Sequence, residues 1–71
     1  MELTNAQKLA ILRDEALQYE ALLFRLGVRH SVQERLANQK GMEQVQREME
    51  QAQSGKAVIE EQIAELDVQA T

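Results

Sequence analysis

The stretch LAILRDEALQYEALLFRLG, residues 9–27, decides the fold. Within it Leu9, Leu12, Ala16, Tyr19, Leu23 and Leu26 recur at alternating spacings of three and four residues. That interval returns side chains to one face of an α-helix and, sustained over several turns, makes a heptad seam for a second helix. The intervening residues are mostly Ala, Leu, Glu, Gln and Arg, which are strong helix formers, and the whole chain contains no proline. Strands are not expected.

Working outward, Thr4 stands three residues ahead of Gln7, the spacing of a capping box, so the first helix is predicted to begin at about residue 5. Gly27 directly follows the last seam residue, where a glycine in the left-handed conformation would end the helix at about residue 26, with Val28 folding back on the last turn. Ser31 and Glu34 repeat the capping-box spacing, so residues 27–31 read as a turn and a long second helix is predicted over about 32–68. A connection this short implies an antiparallel αα-hairpin.

The second helix opens with Val32 and Leu36, changes phase, and then carries Met42, Val45, Met49, Ala52, Lys56, Ile59, Ile63 and Leu66 on one seam, only Lys56 being polar. Gly41 and Gly55 interrupt it, Gly41 as a candidate kink or break. At about 1.5 Å per residue the helices would be roughly 33 and 50 Å long. The tail from about residue 55 would then project with Ile59, Ile63 and Leu66 uncovered, favouring a homodimer as a four-helix bundle or coiled coil.

A chain of 71 residues is a single domain, and one so short buries only about 60% of the surface its unfolded form exposes. With no cysteine and one histidine, neither a disulfide nor a structural metal can compensate, which leaves oligomerisation or partner binding. The formal charge of −4 is segregated: the middle, residues 25–40, is basic and residues 41–71 are acidic. An acidic chain repels a phosphate backbone at long range, so nucleic acid is not the expected partner. No basic-then-apolar leader and no run near the roughly 20 apolar residues of a membrane span are found, and a cytoplasmic location is expected.

No catalytic constellation can be assembled. His30 adjoins Ser31, which has a capping task, and the adjacent acids Asp14-Glu15 and Glu60-Glu61 diverge on a helix. No enzyme activity, cofactor or metal is expected. His30 reads as a solvated turn residue, and Met42 and Met49 as core.

More than one apolar stripe lies on the first helix. Ala6, Ala10, Leu17, Ala21 and Phe24 form a second one, and Ile11 with Leu22 points in another direction. One neighbouring helix cannot cover them all, so the second stripe either completes a homodimer core or receives another protein. The candidate partner-binding residues are Ile11, Leu17, Leu22, Phe24, Arg25 and Arg29; the core or dimer seam is Leu9, Leu12, Tyr19, Leu23, Leu26, Val45, Met49, Ile59, Ile63 and Leu66.

The Leu9–Leu26 seam, the Gly27 turn and the Met42–Leu66 seam, taken over nearly the full length, give a pattern that resembles two groups of small proteins. One is the bacteriophage-encoded helical-hairpin regulators, often dimeric, that bind and inhibit host regulators, quorum-sensing anti-activators among them. The other is the co-chaperones of type III secretion needle subunits, also antiparallel helix pairs. The first resemblance implies an inhibitor of a bacterial protein in the host cytoplasm; the second implies a chain completed by a helical-repeat partner. Residues 22–28, followed by Gln33, Arg35, Asn38, Gln39 and Lys40, also resemble a helix-turn-helix, which would imply a DNA-binding regulator.

Overall fold

Thr4 starts the first helix as its spacing predicts. Its hydroxyl oxygen accepts from the Gln7 backbone N–H at 3.1 Å, while the Gln7 side-chain oxygen accepts from the Thr4 N–H at 2.8 Å. The computed structural model, which describes residues 2–70, contains two helices, α1 (Asn5–Arg35) and α2 (Gln39–Ala70), packed along their length as an antiparallel hairpin.

The turn lies elsewhere than the sequence reading puts it. Gly27 keeps a helical conformation inside α1, and Ser31 is no cap: its hydroxyl donates to the Gly27 carbonyl at 3.2 Å, one turn back. A glycine permits a left-handed residue without requiring one, and keeping it helical costs only about 1 kcal/mol. The chain reverses at residues 36–38. Ala37 takes the left-handed conformation with φ 54°, its N–H donating to the Glu34 carbonyl at 3.0 Å and the Asn38 N–H to the Gln33 carbonyl at 2.9 Å. These two bonds are the paired closures of a Schellman motif, here with alanine at the position glycine usually takes. Asn38 then caps α2, its side-chain oxygen accepting from the Gly41 N–H at 3.1 Å.

Moving the turn makes the helices equal in length, 31 and 32 residues, so the predicted projecting tail does not exist. Tyr19 lies against Gly55 and Gln33 against Gly41, which fixes the register and sets Leu12 level with Ile63 and Leu23 with Ala52. Every predicted seam residue from Leu9 to Leu26 and from Met42 to Leu66 is buried or half-buried, Leu26 most completely at 2% exposure. Val32 and Leu36, read as the start of the second seam, are exposed.

Neither Gly41 nor Gly55 breaks α2. Both are sites of close approach: a Cβ on Gly55 would lie 2.7 Å from the Tyr19 hydroxyl oxygen, and one on Gly41 would collide with the Gln33 carboxamide. Lys56, the polar member of the seam, is half-buried and reaches out to Glu20 at 3.4 Å and Glu60 at 3.6 Å. His30, read as a turn residue, is half-buried in α1 with Nδ1 3.9 Å from the Glu34 carboxylate. No helix among the described residues is long and apolar enough to cross a membrane.

Candidate protein-binding interface

The hairpin seam occupies one face of each helix, and α1 has apolar side chains left over. At about 100° per residue, Ala10, Leu17, Ala21, Phe24 and Val28 project roughly 150° around α1 from the Leu9–Leu26 seam, so they point away from α2. All five are exposed. Phe24, the single phenylalanine, is 74% exposed, Leu17 62% and Val28 51%. Val28 belongs to this outer face by spacing, since it follows Phe24 by four residues; assigning it to a helix-ending turn at Gly27 hides it in the sequence.

A second surface runs along one side of the hairpin. Ile11 lines one hollow toward the chain ends and Leu22 with Arg29 a second one farther along, with Arg25 beside Leu22 on the same side of α1. The first hollow is closed by Gln62, Glu65 and Leu66 of α2, the second by Glu48 and Gln51. Arg25 and Arg29 form no ion pair with a described residue, and both are exposed. The opposite side differs: there Arg13 lies 3.9 Å from Asp67 and Lys56 bridges to Glu20, tying the helices together across their edge.

The six candidate partner-binding residues are therefore all exposed but do not form one patch. Leu17 and Phe24 belong to the outer face, and Ile11, Leu22, Arg25 and Arg29 to the lateral one. Among the described residues no group of three or more His, Asp or Glu side chains is arranged to hold a metal ion. The helix-turn-helix likeness fails on geometry, because its turn at Gly27 is continuous helix and Gln33 and Arg35 belong to the same helix as Leu22.

The chain matches no protein-family model, no curated protein and no solved structure.

Proposed function

We propose that this chain is a non-enzymatic regulator that works as a homodimer in the bacterial cytoplasm, binding and inhibiting a host protein in the manner of the phage-encoded hairpin regulators it resembles. The observation that carries this reading is the surplus of apolar side chains on α1. Among the described residues only Leu9, Leu26, Val45 and Ala52 are buried hydrophobics, against ten large hydrophobics left exposed, six of them on α1. An isolated exposed leucine needs no explanation, but aligned ones on two faces of one helix mark contact surfaces.

The lateral surface is assigned to the host protein. Its centre at Leu22 and Arg29, with Ile11 and Arg25 at the margin and Glu48 on the facing α2 wall, suits a segment that presents an apolar anchor with an acid toward the α1 edge, since a rim charge sets on-rate and orientation while the apolar contact holds. The test uses the purified full-length chain and a host protein recovered with it, reconstituted from two pure components. L22E and R29E each should weaken that complex at least about tenfold while leaving helicity unchanged. Retention of full affinity by both variants would refute the lateral assignment.

The co-chaperone reading draws on the same small core. A hairpin with four buried hydrophobics gains order from a helical-repeat partner, and circular dichroism separates the two. A regulator is helical alone at micromolar concentration; a co-chaperone becomes so only in its complex.

A further inference from the structure

We propose that the outer face of α1 is the seam of that homodimer, with the two α1 helices antiparallel, Leu17 against Val28 of the second copy and Ala21 against Phe24 of the second copy. This rests on the homodimer of the functional reading and adds its face, orientation and register.

Three arguments converge, the third following from the register that the second selects. The first is area. The chain exposes 5603 Å², about 1,100 Å² more than the roughly 4,500 Å² of a compact protein of its mass. A standard interface takes about 800 Å² from each partner, so one interface accounts for most of the excess. The molecule measures 51 × 19 × 15 Å, and the stripe from Ala10 to Val28 runs about 27 Å along it.

The second is size complementarity. Ala10, Asp14, Leu17, Ala21, Phe24, Val28, Ser31 and Arg35 alternate by three and four residues along the outer face. In a parallel pair each meets its own copy, which stacks Phe24 on Phe24, leaves a gap at Ala21, and sets Asp14 on Asp14. Antiparallel pairing permits three registers a heptad apart that keep the stripe together. One opposes Phe24 to Asp14 and another opposes Leu17 to Arg35. The remaining register puts the largest side chain over the smallest, Phe24 on Ala21, and a medium one on each leucine, as interdigitating cores require.

The third is what that register does at the edges. It brings Ile11 beside Val32 of the second copy and Gln18 beside Arg25 of the second copy on one edge. Ile11 and Arg25 thereby become the margin between dimer and lateral surface, while Leu22 and Arg29 stay outside the dimer. On the other edge it brings Arg13, which also lies 3.9 Å from Asp67, beside Glu34 of the second copy. An opposite-charge pair, an apolar pair and a hydrogen-bonding pair thus follow from the register chosen on size alone, each twice by the two-fold axis, while Arg35 falls opposite Ala10 at the end of the stripe, where its charge reaches solvent. Ile11 and Val32 are each 49% exposed in the single hairpin.

Sedimentation equilibrium of the full-length chain should give a dimer. F24E should raise its dissociation constant by about a hundredfold or more, because the charge lands in the centre of the seam twice. Phe24 is exposed in the hairpin, so helicity at low concentration should be unchanged; should F24E lose helicity, L17R carries the same prediction. R13E and E34R should each weaken the dimer several-fold and the double variant restore it. The chain has no cysteine, so orientation can be read by mild oxidation. L17C chains mixed with V28C chains should link to each other, and neither should link to itself.

A wild-type chain that stays monomeric, an F24E dimer as tight as the wild type, or self-linkage of V28C would each overturn the pairing. Failure here and failure of the lateral surface are distinguishable: F24E reads out in self-association, L22E and R29E in binding of the host protein.

Discussion

The two helices have nearly the same length and face each other along matching seams, yet they spend their apolar residues differently. Six large hydrophobics of α1 are exposed, Ile11, Leu17, Leu22, Phe24, Val28 and Val32, against Val58 and Val68 in α2. α2 also carries seven acids to three bases, whereas α1 is close to electrically balanced. One helix is thus a conventional amphipathic element with a wet acidic back, and the other is apolar on several sides. The difference teaches that α2 spends nearly all its large apolar side chains on the hairpin, while α1 carries a surplus that the hairpin does not cover.

The sharpest way to break that contrast is to delete one leucine from each face of α1. Leu26→Ala removes the most buried side chain and should cost about 3 kcal/mol in urea unfolding monitored by circular dichroism, the usual range for a core cavity. Leu17→Ala, measured at a concentration low enough to keep the chain monomeric, should change stability by less than about 0.5 kcal/mol. Equal losses would mean that the outer face is already covered within one chain.

A second comparison sets a glycine of one helix against a glycine of the other. Gly55→Ala forces a methyl into the Tyr19 ring and should destabilise by about 2 kcal/mol, relieved when combined with Tyr19→Leu. Gly27→Ala should do the reverse, raising stability by about 1 kcal/mol, because nothing lies within 4 Å of the added methyl and the helical glycine costs backbone entropy. Thermal melts of the two variants should move in opposite directions. The smallest effect is expected at the hinge between the helices: Ala37→Gly relieves a left-handed alanine and should add about 0.5 kcal/mol, the relief being partly offset by the freer unfolded glycine.

These glycines also show where the sequence was readable and where it was not. The seams were legible because periodicity is a tertiary signal written locally: each of Leu9 to Leu26 and Met42 to Leu66 lies where its spacing puts it. The turn was not, because Gly27-Val28 and Ser31-Glu34 have the residue types of a helix end and a helix start, while Ala37 has those of a helix interior. Local cost favours a break at Gly27 by about 1 kcal/mol, and burial of the Ile59–Leu66 seam outweighs it. That outcome was available from the sequence in one respect. A hairpin turning at residues 27–31 strands three large residues, whereas one turning near the middle of the chain covers both seams, and Asn38 stands ready there as a cap.

The candidate surfaces were half legible. The second stripe was visible as leftover periodicity over residues 10–24, but Val28 joins Phe24 on it only because α1 continues past Gly27. The side that carries the free arginines could not be told from the side laced by Arg13–Asp67 and Lys56–Glu20, because which edge pairs depends on the register of α2.

The chain has one tyrosine, one phenylalanine and no tryptophan, and the two rings lie on opposite faces of the same helix. Tyrosine alone gives the longer-wavelength band of the near ultraviolet, and phenylalanine shows as sharp fine structure superimposed on the tyrosine signal at shorter wavelength, so each can be followed without a label. Tyr19, wedged at Gly55 midway along the hairpin, gives a near-ultraviolet dichroic signal that disappears only when the helices part past their middle, and fraying of the open end leaves it untouched. Phe24 is 74% exposed in the lone hairpin and should gain its fine-structured signal when a second chain closes over it. A single titration read at two wavelengths therefore times folding and association separately in the unmodified protein.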